Sequence, residues 1–260
     1  AGGAPGAGVD PVETAYLEDG GFAMASNLGA IDGTLYSVTM RYIQEDAGIQ
    51  QLNVPADEVN GFYVAKFAYY GGKIYYVEKT PGTDDTVSFR LCCDKDGSGR
   101  TVLVDSGMIS WSGLYFVIED GLITWSQYDY ETKSTLYQTY SISEGKMIDS
   151  QSALGPLTEL VLGGYDHSSV ILEENGDGTW TLYRRLRNNE DAESLSYSLV
   201  TVDESGHADV SYQGMKGYIE GVQSLFAIYD GYAYMTAYEN NDGILYRLNL
   251  NDANDIQEIG

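Results

Sequence analysis

The side chains that could do chemistry in this chain are scattered, and the first question is whether any spacing brings them together. Asp94-Lys95-Asp96-Gly97-Ser98-Gly99, followed by Asp105, sets oxygen donors at the first, third, fifth and twelfth places of a calcium-type loop, with glycine at the sixth. Yet Thr101-Val102-Leu103-Val104 inside that span reads as a strand, and no helix flanks it. A turn between two strands accounts for the same residues, so no metal is expected. His167 and His207 are the two histidines of the chain, and no third ligand stands near either in sequence. A Ser-His-Asp set could be assembled only by free choice among many Ser and Asp residues. No Walker loop and no G-x-G-x-x-G precedes a helix, so no cofactor is expected. Cys92 and Cys93 are adjacent. On a strand they point to opposite faces, which predicts two buried thiols rather than a disulfide framework. No catalytic residue is assigned.

Charge narrows the partners. The 260 residues carry 39 acidic and 14 basic side chains, a net charge of −25. A field of that sign repels phosphate backbones and anionic lipid, so nucleic acid is excluded as a partner. No apolar run approaches the roughly 18 residues of a membrane span, so no membrane insertion by this chain is expected. The opening Ala1-Gly2-Gly3-Ala4-Pro5-Gly6-Ala7-Gly8 is small and flexible, and no charged-then-apolar leader precedes it. The expectation is a flexible tail over residues 1–13, a mature or truncated start, and one domain over residues 14–260. Acidity of this degree suits a soluble extracellular monomer.

The elements that would position any site come from a recurring hairpin. Residues 230–252 give it most plainly: Asp230-Gly231, a strand over 232–238, a turn at Asn240-Asn241-Asp242-Gly243, and a strand over 244–250. Aligned on a Leu-Tyr pair, versions recur at Leu35-Tyr36, Leu136-Tyr137, Leu182-Tyr183 and Leu245-Tyr246, with Ser88-Phe89 in the second copy. The period is roughly 50 residues, the sign of an array or propeller. Each hairpin follows another apolar run, at 14–17, 62–70, 114–118, 160–162 and 225–229. Each precedes a short strand, at 49–54, 101–104, 146–148, 208–212 and 256–259. Residues 74–77 and 114–118 are apolar at every position, which means both faces of the sheet are covered. The expected fold is therefore all-β: a β-propeller of four-stranded antiparallel blades, five in number. The fourth unit is long, and residues 195–202 read as an additional or extended strand. No useful helical periodicity appears.

The pattern Gly72-Lys73-Ile74-Tyr75-Tyr76, then Asp96-Gly97-Ser98-Gly99, with Leu245-Tyr246-Arg247, resembles the repeats of secreted, often lipid-anchored propeller proteins of Gram-positive bacteria. That family is of unknown function and related in style to TolB-like propellers. The resemblance implies a propeller fold and an extracellular or cell-surface place on a bacterium, and it carries over no site residues. Asp177-Gly178-Thr179-Trp180 approaches the Asp-box of sialidase propellers but fails its spacing, so a hairpin turn is expected there.

In a four-stranded meander, second-to-third turns and the connections between blades share one end. That end collects Trp111, Tyr128, Tyr130, Tyr212, Tyr218 and Tyr238, while the opposite end is short, acidic and glycine-rich. Aromatics on loops held by a rigid scaffold are recognition material. The expected function is a non-catalytic extracellular binding module for a glycan or protein partner. The enzymatic alternative is a glycoside hydrolase with an Asp/Glu acid-base pair across the central channel. First strands here are nearly all apolar, and Glu18, Glu119 and Asp230 stand at the turns that end them.

Overall fold

The computed structural model describes residues 15–16, 22–23, 28–31, 34–37, 49–51, 54, 56–82, 86–94, 99–110, 115–129, 133–150, 154–163, 170–187, 193–218, 222–239 and 242–259. The expected tail, residues 1–13, lies outside them. In chain order the strands are β1 (Ala15–Tyr16), β2 (Phe22–Ala23), β3 (Leu28–Ile31), β4 (Thr34–Ser37) and β5 (Ile49–Gln51). Then follow β6 (Tyr63–Tyr70), β7 (Lys73–Pro81), β8 (Thr86–Asp94) and β9 (Thr101–Ser110), which form the second blade in our repeat numbering. The third blade is β10 (Tyr115–Glu119), β11 (Leu122–Asp129), β12 (Ser134–Ser141) and β13 (Lys146–Ile148). Helix α1 (Pro156–Gly163) comes next. The fourth blade is β14 (Val170–Glu174), β15 (Thr179–Arg187), β16 (Glu193–Val202) and β17 (Ala208–Tyr218). The fifth is β18 (Val222–Tyr229), β19 (Tyr232–Glu239), β20 (Asp242–Asn249) and β21 (Ile256–Glu258).

The chain is thus an all-β propeller, with four regular antiparallel blades of four strands in a ring rather than five. Among the described residues the first repeat makes no fifth: it gives the pair β1–β2 and a three-stranded sheet β3-β4-β5. In that sheet β5 runs parallel to β4, with Leu35 opposite Ile49. A parallel neighbour needs a crossover, and residues 38–48 separate the two strands by far more than a hairpin turn. Innermost strands neighbour one another around the ring: β3 lies beside β6 and β18, β6 beside β10, and β14 beside β18. Helix α1 packs on β10 and β11 of the third blade and on β17 of the fourth.

Backbone chemistry fixes the phase of the repeat. Between first and second strands stand Gly71-Gly72, Asp120-Gly121 and Asp230-Gly231, and all six residues have positive φ. That is the two-residue turn whose twist matches a hairpin, and glycine adopts its second position without steric cost. Asp32-Gly33 separates β3 from β4, and Asp177-Gly178 separates β14 from β15. The strands expected at 160–162 and in the first repeat were therefore displaced by one. Residues 160–162 belong to α1, and the expected second strand of the fourth repeat is its first. The long stretch 195–202 is then an ordinary third strand.

Two-sided burial follows as the apolar runs require. Ile74, Tyr75, Tyr76 and Val77 are all 5% exposed or less. Tyr75, Val77, Phe89 and Leu91 pack on Ile123, Trp125 and Tyr140 between the second and third blades. There Phe89 and Trp125 meet edge to face, ring centroids 5.8 Å apart. On the opposite face of the second blade Ile74, Tyr76 and Cys92 join Val54, Val64 and Phe67. Between the fourth and fifth blades Tyr183 and Leu195 meet Leu225, Met235 and Leu248.

Candidate functional site

Strand register places the aromatic residues singled out above. Tyr128 is opposite Thr135, one pair short of the end of the β11–β12 ladder. Tyr238 holds the matching position, opposite Gly243 with only Glu239–Asp242 beyond. Tyr218 ends β17 opposite Ser194, next to the β15–β16 turn. These are second-to-third turns or the start of a connection to the next blade, so the three positions share one end of the propeller. Trp111 and Tyr130 lie outside the described residues. Each directly follows a residue at that same end: Ser110 is paired with Thr86, the first residue of β8, and Asp129 with Ser134. Tyr212 stands apart. It is opposite Ser198 in the interior of an outer strand, 60% exposed, and is no part of a loop.

The opposite end is built from acid-lined turns that satisfy themselves. Asp177 Oδ1 accepts from Thr179 N at 3.0 Å and from Thr179 Oγ1 at 2.6 Å. Asp203 Oδ1 accepts from the amides of Ser205 and His207 at 2.9 Å, and from Ser205 Oγ at 2.6 Å. The hydroxyl bonds, first Thr179 and first Ser205 respectively, hold both carboxyls below the usual carboxylate range. Asp94 accepts from Gly99 N at 2.9 Å, and Asp105 from Arg90 Nε at 3.1 Å. Residues 95–98 and His167 lie outside the described residues. Among the described residues no group of three His, Cys, Asp or Glu is arranged to hold a metal ion.

Carboxylates on the innermost strands have other work. Glu119, at the end of β10, receives the first turn of α1: Thr158 N at 2.8 Å, Thr158 Oγ1 at 2.7 Å and Leu157 N at 3.4 Å. An anion at a helix N-terminus satisfies orphan amides and meets the positive end of the dipole. Glu173 accepts from the Tyr183 hydroxyl at 3.3 Å. Burial, then that carboxylate, pushes the Tyr183 phenol up to about 12.

One charged cluster escaped the sequence reasoning. Glu78 is wholly buried on β7, directly opposite Arg90 on β8. Its carboxylate pairs with Arg100 through Nη2 and through Nε at 3.2 Å, and accepts from Asp57 N at 3.0 Å. Arg90 Nη1 is 3.6 Å from Glu78 and 3.0 Å from Asp57, and its guanidinium lies over the Phe62 ring. Burial draws the Arg90 pKa down, but the bonds from Asp57 and Asp105 outweigh it and hold the value up. The signal was present, since Glu78 continues an unbroken apolar run and Arg90 falls opposite it once the strands are paired. The cluster ties Asp57 and Phe62 to the second blade. Nearby, both cysteines are free thiols on opposite faces of β8; Cys92 is buried, but Cys93 is half-buried where a buried thiol was expected. Burial pushes the Cys92 thiol up to about 12, so it is no nucleophile at neutral pH.

No protein-family model matches the sequence, and no curated protein matches it. Among solved structures, the chain is similar to Bacteroides ovatus Xyloglucan PUL GH43B, at 14% identity and a TM-score of 0.37 over 70% of this chain. It spans 37% of that protein's length. A thermostable family-43 glycoside hydrolase gives 13% identity and a TM-score of 0.42, covering 76% of this chain and 75% of the other. The β-propeller domain of the trilobed protease from Pyrococcus furiosus gives 10% and 0.32, covering 76% and 85%. No activity is carried over from any of them.

Proposed function

We propose that this chain is an extracellular bacterial binding module that recognises a glycan through the end of the propeller where its second-to-third turns lie. The observation behind this reading is the shared register of Tyr128, Tyr218 and Tyr238, joined in sequence by Trp111 and Tyr130 at the same end. These aromatics alternate with hydrogen-bonding groups, as in Tyr128-Asp129-Tyr130 and Tyr238-Glu239-Asn240-Asn241-Asp242. Flat rings beside acids and amides suit the apolar face and the hydroxyl rim of a sugar. The engagement of Glu119 with the first turn of α1 and of Glu173 with the Tyr183 hydroxyl gives both carboxylates a structural role, which favours binding over hydrolysis.

The test is a glycan array with a parallel screen for glycoside turnover, run on the parent and on Trp111→Ala, Tyr130→Ala and Tyr238→Ala. Each substitution should weaken binding about tenfold, the equivalent of about 1.4 kcal/mol. Binding indifferent to all three would remove the face assignment. Turnover of any glycoside would replace the reading with the hydrolase one, and capture of protein alone would move the partner class to protein.

A further inference from the structure

The junction between the third and fourth blades is built differently from its neighbours. The second and third blades meet through large apolar side chains, Phe89 and Leu91 against Ile123 and Trp125. The fourth and fifth do the same, with Tyr183 and Leu195 against Leu225 and Met235. Because side chains alternate across a strand, the other faces of the third and fourth blades carry the intervening residues. On the third blade these are Thr124, Ser126, Thr139 and Ser141, and on the fourth they include Ser196 and Ser198 beside Leu182 and Val200. All six hydroxyl residues are buried. Thr124 Oγ1 and Thr139 Oγ1 are 2.9 Å apart, a hydroxyl pair within one blade that ties nothing across the joint.

Helix α1 bridges the two blades. It rests on β10, β11 and β17, with Leu162 and Thr158 buried and the Tyr137 hydroxyl donating to the Leu162 carbonyl at 3.0 Å. Eight residues are too few to hold a helix alone in water, so α1 stands on its contacts. Its N-terminus is latched by Glu119, and the fit is close: a Cβ on Gly155 would clash with the Glu119 carboxylate. Small hydroxyl side chains remove little apolar surface from water, and they are easily rehydrated when uncovered.

We propose that α1 is a releasable wedge, held by Glu119, and that of the three joints between the four regular blades the one between the third and fourth opens first. Opening there uncovers six hydroxyl side chains and only a few apolar ones, Leu182 and Val200 among them, while the joints on either side stay sealed by the larger apolar clusters around Trp125 and Met235.

Thiol labelling under native conditions tests this, with buried Cys92 of the second blade as the internal reference. In a Cys93→Ser background, Ser198→Cys and Ser126→Cys should react with an aromatic disulfide reagent at least tenfold faster than Cys92, each rate corrected for that of the unfolded chain. Glu119→Ala should accelerate both new thiols about tenfold and leave Cys92 unchanged. In the unsubstituted protein, amide exchange of residues 157–163 should run ahead of residues 74–77, which keeps the test open if a variant fails to fold. Equal protection of all three thiols, or α1 amides exchanging only with residues 74–77, would overturn the proposal.

Discussion

Replacing Glu78 by Gln keeps the shape of the side chain and removes its charge from a site with no solvent exposure. Three donors then lose a carboxylate: Arg100 through Nε and Nη2, and the Asp57 amide. The amide of Gln offers one acceptor oxygen and an NH2 that faces a donor wherever it is turned. Breaking one partner of a buried pair costs about 3–5 kcal/mol, because a charge is left buried and uncompensated. Here Arg100 and Arg90 retain 24% and 21% side-chain exposure, and Arg90 keeps Asp57 and Asp105. Partial hydration brings the expected loss to the lower end, about 3 kcal/mol. For a chain of this size that corresponds to a fall in Tm of roughly 6–12 °C. Urea denaturation of the parent, Glu78→Gln, Arg100→Met and the double variant closes a cycle, and the coupling between the two sites should be about 2 kcal/mol. The double variant should also be less damaged than the sum of the singles, since it leaves neither charge alone. A Glu78→Gln protein within about 1 kcal/mol of the parent, or independent losses in the cycle, would show that the cluster is not an interdependent unit.

Four further outcomes are expected. Tyr183→Ala and Leu245→Ala, both emptying buried positions, should each lower stability by about 2–5 kcal/mol in chemical denaturation. Gly155→Ala should cost about 1–2 kcal/mol, the worth of a helix cap, by displacing the Glu119 carboxylate from Thr158; recovery of that loss in a Glu119→Ala background would confirm the route. Burial raises the Cys92 pKa from 9.0 to about 12, above its unfolded value, so this contribution is complete below about pH 9 and is lost as pH climbs toward 12. Stability measured from pH 8 to 11 should fall, and Cys92→Ala should flatten part of that slope. The two exposed turn carboxyls, Asp177 and Asp203, are shifted the other way, so their contribution is present above about pH 4 and fades as pH drops through their lowered values. Asp177→Asn should therefore lessen the loss of stability between pH 5 and 3.

How much of this was legible in the sequence depends on what each motif is for. Leu-Tyr is a packing motif, and packing is needed on more than one strand. Leu182-Tyr183 sits on the second strand of its blade and Leu245-Tyr246 on the third, while Leu136 is 49% exposed. Aligning on that pair therefore slid the first and fourth repeats by one strand, and it produced a fifth blade and a strand where α1 stands. Asp-Gly is a backbone motif. At Asp120-Gly121 and Asp230-Gly231 both residues take positive φ, a demand that falls on a tight first-to-second turn and seldom elsewhere. The same reasoning accounts for the site. Register follows from turns, so the common end of Tyr128, Tyr218 and Tyr238 was within reach of the sequence. Tyr212 was misplaced because β17 runs eleven residues, longer than its apolar pattern suggests, and carries the residue along an edge. The Glu78 cluster and the α1 wedge depend on partners far away in the chain, 22 residues to Arg100 and 39 from Glu119 to Thr158, so the charge breaking the run at Glu78 hints at a partner that only strand pairing can name. A repeat is best phased on what the backbone must do, because side chains that pack are interchangeable between strands and a left-handed turn is not.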